Sequence, residues 1–177
     1  NAARPAVNAV ALVGHTALRL RCMGDLSRPA TEAERAAMCA LLDAALAQGA
    51  MGLSSGTFYA PAAAADKAEL LALARVAARH GGVYAVHLRD EMAGVLEAIH
   101  EAADCAHEAG LPLIISHHKC AGRAQWGRSL QTLALLERLA QRQSLGLDVY
   151  PYLAGSTVLR EDLADGQTPI RLTWSEA

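Results

Sequence analysis

Aromatic side chains are scarce in this 177-residue chain, which has one Phe, two Trp and four Tyr. Its apolar bulk comes instead from 39 Ala and 26 Leu, a composition suited to Ala/Leu helices laid on a sheet. An excess of either charge is lacking too. Sixteen Lys and Arg face 18 Asp and Glu, a net charge of -2, so nothing electrostatic favours nucleic acid or an anionic membrane as partner. With 53% hydrophobic residues, the chain lies far from the composition of a disordered segment. No apolar run reaches the ~18–20 residues of a membrane helix. Cys22, Cys39, Cys105 and Cys120 lie far apart without a C-x-x-C pair. That spacing excludes a disulfide framework and predicts reduced thiols in a cytoplasmic protein. Asn1-Ala2-Ala3-Arg4-Pro5 lacks the basic start and apolar middle of a signal peptide. Both ends read as cut, and the expectation is a piece of something longer.

A repeating pattern runs through the rest. Thr31 and Glu34 fit a capping box, Met38, Leu41, Leu42, Ala45 and Leu46 form one apolar helix face, and Gly49 is the stop. The apolar run 50–53 then reads as a strand. The unit recurs as a helix over 66–80 ended by Gly81-Gly82, with a strand over 83–86. A helix over 92–109 ended by Gly110 and a strand over 111–116 follow, then a helix over 129–143 and a strand over 145–150. Residues 7–13 fit an earlier strand. Strand starts spaced by about 30 residues, alternating with helices, predict βα units and a parallel sheet. Five strands and four helices fit either an open doubly wound sheet or part of a TIM-like (β/α)8 barrel. The cut ends favour the partial barrel, about five consecutive βα units. In both folds ligands gather beyond the C-terminal ends of the strands.

Those ends are polar. The strand at 83 runs into His87-Leu88-Arg89-Asp90-Glu91, the one at 111 into His117-His118-Lys119, and the one at 145 into Tyr150-Pro151-Tyr152. His87 and His117 take equivalent places on consecutive strands, and neighbouring parallel strands lie ~4.8 Å apart. Two such imidazoles can share one zinc ion. His118 points to the opposite face if its strand persists, and His15, His80, His100 and His107 fall at a turn or on helices, so these five read as structural or solvent-facing. Catalytic zinc takes three protein ligands, and no third is obvious, since Asp148 falls inside its strand and Cys120 three residues past His117. Lys119 shares the face of His117 if the strand continues and suits a substrate carboxylate. Tyr150, Ser156 and Tyr59 offer hydroxyls to the same clamp. Gly52-Leu53-Ser54-Ser55-Gly56 matches the G-x-S-x-G elbow of serine hydrolases, but the immediate helix that the elbow requires is missing.

Taken in order, Val13-Gly14-His15, Met23-Gly24-Asp25, the Gly52–Gly56 run, His87–Glu91, Ile115–Lys119, Gly122–Ser129 and Asp148–Tyr152 resemble the D-aminoacylase family. These are N-acyl-D-amino-acid deacylases of the metal-dependent amidohydrolase superfamily. The resemblance spans essentially the whole chain and implies that residues 1–177 are the central portion of one catalytic barrel domain with zinc at its mouth. It implies hydrolysis of an N-acyl-D-amino acid to a carboxylate and the free D-amino acid. By the same resemblance His87 and His117 are metal ligands, and Tyr59, Lys119, Tyr150 and Ser156 bind substrate. The family's early H-x-H pair, metal-binding Cys and general-base Asp have no counterpart here, so the base is expected outside this chain and the piece alone is expected to be inactive. Other readings are an amidohydrolase acting on a cyclic amide, a serine esterase using Ser54, and an α/β segment without chemistry.

Overall fold

The structure, a computed structural model, describes residues 6–159, 161, 166 and 169–171. In chain order the elements are β1 (Val13–Gly14), α1 (His15–Cys22), α2 (Glu32–Ala47), β2 (Gly52–Gly56), α3 (Ala60–Ala63), α4 (Lys67–Arg79), β3 (Val83–His87), α5 (Val95–Ala109), β4 (Leu113–Ile115), α6 (Ser129–Ala140) and β5 (Leu145–Leu147), with a 3-10 turn at Arg123–Gln125. All neighbouring strands pair parallel, in the order β1-β2-β3-β4-β5. A doubly wound sheet reverses its strand order at a switch point, and this one does not. The helices form one layer, α2 packing on α4, α4 on α5 and α5 on α6. The fold is therefore a partial α/β barrel.

The sheet's two faces follow from register. Leu53, Tyr84, Leu113 and Leu145 align across four strands. Leu53, Tyr84, Val86, Leu113 and Ile115 share the main core with Leu73, Ala77, Ile99 and Leu136 of the helices. The opposite parity pairs Gly52 with Val83 and Ser54 with Ala85, and ends in Gly56 paired to His87. His87 thus projects from the face turned away from the helices, at the C-terminal end of its strand.

Local chemistry sets the element ends. Thr31 and Glu34 form the expected capping box on α2, with the Thr31 hydroxyl accepting from the Glu34 N–H and the Glu34 carboxylate accepting from the Thr31 N–H. Thr31→Ala is expected to cost about 1 kcal/mol, seen as a lower urea midpoint at unchanged slope. Gly110 closes α5 in the left-handed region at φ 75°, where glycine alone is unstrained.

Four local expectations are corrected. The first strand is only Val13–Gly14, and Val7 and Val10 are exposed. His15 opens a helix, α1, rather than lying at a turn, and the short α3 was not expected either, so the described residues hold six helices instead of four. The helix expected from Met92 starts at Val95, because the Asp90 carboxylate accepts from the Met92 and Gly94 N–H groups and folds a turn ahead of it. The last strand stops at Leu147, so Asp148 lies beyond it. The four cysteines are free thiols, and among the described residues no helix is long and apolar enough to cross a membrane.

Candidate metal centre

The rings of His87 and His117 meet, with centroids 4.5 Å apart and planes at 70°. His87 arrives by simple continuation of β3. His117 arrives by a turn: β4 ends at Ile115, and His117 takes the left-handed region at φ 42°, the one non-glycine residue among those described with positive φ. Such a conformation is costly for a histidine unless its surroundings hold it. Asp148 does the holding. Its Oδ1 accepts from the His117 N–H at 2.6 Å, its carbonyl accepts from the His118 N–H at 2.8 Å, and its own N–H donates to the Ile115 carbonyl at 3.1 Å. The residue just past β5 thereby aims the imidazole carried by β4.

A third donor, not recognised from sequence, completes the group. Glu91 lies four residues after His87 in the loop leaving β3, and it is buried. Its Oε2 is 3.5 Å from His87 Nε2 and its Oε1 is 3.2 Å from His117 Nδ1. The ligand atoms of His87, Glu91 and His117 all lie within 4.8 Å of one another. Tetrahedral ligands at ~2.0–2.2 Å from one ion sit about 3.4 Å apart, so the two measured contacts are of metal-site size. The sequence signal for Glu91 was its place in the polar run His87–Glu91. A loop carboxylate is so commonly solvated that the signal carried little weight.

Lys119 joins the group although its strand does not continue. Its Nζ donates to Glu91 Oε1 and Oε2 at 2.8 and 2.9 Å and to His117 Nδ1 at 2.8 Å. The turn at His117 brings it there, not the strand parity used in the sequence reading. Tyr150 lies beside it, with Nζ 5.6 Å from the ring centroid. Burial, and then the Glu91 carboxylate, raise the Tyr150 phenol above its ordinary pKa, which keeps it a neutral hydrogen-bond donor. Tyr59 packs on His87 at 5.0 Å between centroids, and its hydroxyl meets Thr157 Oγ1 at 3.2 Å. Ser156 is exposed, one residue from Gly155, which borders the Tyr150 hydroxyl, and one from Thr157. Five of the six expected site residues therefore touch one another or a direct neighbour of the group, and Ser156 stands at its rim.

Other candidates separate cleanly. His118 is buried and its Nε2 meets Thr132 Oγ1 at 2.8 Å, and burial, followed by the Lys119 charge, lowers its pKa. It is structural, as expected. Cys120 lies by Thr132 at 4.0 Å and is not in the donor group. Ser54 sits inside β2, paired with Ala85, and not at a strand-to-helix turn, so the elbow geometry is absent.

Two imidazole nitrogens and a carboxylate oxygen suit zinc. The ligand atoms of the three residues lie within 4.8 Å of one another, and the Lys119 ammonium touches two of the three, Glu91 and His117. In donor type and spacing the residues present fit a divalent metal.

No protein-family model matches the chain. It is 47% identical over 171 residues to a D-aminoacylase of Alcaligenes xylosoxydans xylosoxydans, covering 96% of this chain and 35% of that protein. Solved structures of a D-aminoacylase superpose with TM-scores of 0.84 and 0.85 at 49% identity over 85% and 87% of this chain. One is described as defining a novel subset of amidohydrolases, and the other as having a binuclear metal center. N-acyl-D-glutamate deacylase from Bordetella bronchiseptica, complexed with zinc and a phosphonate inhibitor, superposes with a TM-score of 0.80 at 45% identity over 84% of this chain and 32% of that one. The chain thus spans about a third of the length of the curated relatives it matches, and over that length it is their homologue.

Proposed function

We propose that this chain is the central part of the catalytic barrel of a zinc-dependent N-acyl-D-amino-acid deacylase, which hydrolyses the amide to a carboxylate and a free D-amino acid. The observation that carries this reading is the meeting of His87 and His117 at the sheet's C-terminal rim, in a chain 47% identical to a D-aminoacylase. His87 and His117 hold the metal, with Glu91 within reach of both. Bound zinc supplies a Lewis acid and a water whose pKa falls towards ~7. Lys119, Tyr150 and Ser156 receive the substrate's α-carboxylate and so fix the amide carbon relative to the metal. Tyr59, packed at a tilt against His87, belongs to the same pocket. With zinc bound, selectivity for the D-hand would follow from three fixed points: the carboxylate at the clamp, the amide carbonyl towards the metal and the side chain in a pocket. The Asp general base lies outside this chain, so the 177 residues alone are expected to be inactive.

The test is an assay of the intact protein with N-acetyl-D- and N-acetyl-L-amino acids. Release of free D-amino acid with little from the L-form is expected, and equal or no release refutes the reading. Lys119→Ala separates it from action on a cyclic amide. A lost charge-assisted hydrogen bond of ~1.5–3 kcal/mol predicts KM for acyl amino acids raised about 10- to 100-fold. An unchanged KM counts against the carboxylate clamp.

A further inference from the structure

Glu91 has two possible employments. It can bind the metal with His87 and His117, or it can hold Lys119. We infer that Glu91 is a positioning residue for Lys119, a role that rests on the deacylase reading above. Both carboxylate oxygens are spent on the ammonium, at 2.8 and 2.9 Å, and both are farther from the imidazoles, at 3.2 and 3.5 Å.

A lysine is a poor anchor when left alone. Its ammonium sits on a flexible four-carbon stem and gives up substantial rotamer freedom to hold any one place. At this site the stem's end is fixed before substrate arrives. The Glu91 side chain is only 8% exposed, against 25% for Lys119, so the carboxylate forms the rigid inner half of the pair. The loops carrying them are also stapled through the backbone, the Ala121 N–H donating to the Glu91 carbonyl at 2.7 Å. An ammonium has three protons. Two go to Glu91 and the third to His117 Nδ1. A neutral imidazole has one lone pair to give, so with a metal on His117 this third proton would be released to a substrate carboxylate, its direction set by the other two. The Lys119–Glu91 pair is net neutral, so the clamp recognises a carboxylate by a directed hydrogen bond rather than by net charge.

The test uses the intact zinc-loaded protein with Glu91→Gln, Glu91→Asp, Lys119→Met and the double variant Glu91→Gln/Lys119→Met. Zinc per protein is measured by mass spectrometry, and kcat and KM are measured on an N-acetyl-D-amino acid and on its α-carboxamide analogue. The expected result is full zinc in Glu91→Gln, with KM for the acid raised about tenfold and KM for the carboxamide nearly unchanged. Partial recovery in Glu91→Asp and no further loss when Glu91→Gln is added to Lys119→Met are also expected. Zinc loss in Glu91→Gln overturns the inference in favour of ligation. Equal KM rises for acid and carboxamide overturn it in favour of a general structural role. A lowered KM, as when Glu91 merely cancels the charge of Lys119, overturns it as well. Should Glu91→Gln not fold, the Glu91→Asp and Lys119→Met comparison decides by the same acid-to-carboxamide ratio. Wild-type protein that holds zinc yet releases no D-amino acid refutes the deacylase reading itself, an outcome separate from any behaviour of the variants.

Discussion

Alanine in place of His87 in the intact protein is expected to strip it of zinc during dialysis against a mild chelator and to lower kcat/KM by more than about 100-fold. Residues that merely support a ligand already cost 10–100-fold, and His87 is here the ligand itself. The ring stands between His117 at 4.5 Å, Tyr59 at 5.0 Å and Phe58 at 5.1 Å. Among the described residues no further His joins the group. The strand should survive, since β3 is held by pairing with β2 and β4 and by Tyr84 and Val86 in the core. His118→Ala is the matched control. It removes a buried imidazole bonded to Thr132, so stability should fall while zinc stays. Equal zinc loss in both variants, or none in either, contradicts the assignment.

The largest effect on stability is expected at Glu69. Its carboxylate accepts from Arg19 Nη1 at 2.6 and 2.7 Å and from the Ala30 N–H at 2.9 Å, and it meets His15 Nε2 at 2.7 Å. His15, Arg19 and Glu69 are all fully buried. Arg19 further donates through Nε to the Pro61 carbonyl and through Nη2 to the carbonyls of Leu26 and Arg28, so its planar fork is completely used. This network ties α1 to α4 and to the loop before α2. Glu69→Gln leaves a buried guanidinium without a counter-charge, at a cost of about 3–5 kcal/mol. At about 2–4 °C per kcal/mol for chains of this size, Tm should fall by roughly 10 °C.

The same carboxyl sets an acid limb. Burial pushes its pKa up, but the bonds from His15, Arg19 and Ala30 outweigh burial and hold it at about 2. In the unfolded chain a glutamate titrates near ~4.3. Its folded pKa is depressed, so its stabilisation is complete above ~4.3 and drains away as pH falls towards 2. Urea melts between pH 5 and pH 2.5 should show a steep loss in wild type and a shallower one in Glu69→Gln. Parallel curves exclude Glu69 as the source.

The repeating units were legible because each is written locally. The capping box at Thr31, the glycine stops at Gly49, Gly81 and Gly110 and the apolar stripes sit within one helix length of the elements they define. Equivalent placement on consecutive strands was enough to bring His87 and His117 together. Failures came where the cause was distant in sequence. Helix α1 carries Arg19 on its buried side, where pattern reading takes an arginine for surface, and the compensating Glu69 is fifty residues on. Glu91 looks like a solvated loop acid until Lys119 and His117 arrive from another strand end. The left-handed turn at His117 depends on Asp148, thirty-one residues later, which sequence spacing had placed within a strand. Lys119 reaches the group through the turn at His117 and not through the strand parity that the sequence suggested.

The most direct test of the shared ion is crystallographic. Crystals of the intact protein grown with zinc, with diffraction recorded on both sides of the zinc absorption edge, should show an anomalous peak ~2.0–2.1 Å from a ring nitrogen of His87 and equally close to one of His117. A zinc peak bonded to only one of the two rings, or to neither, contradicts the shared site.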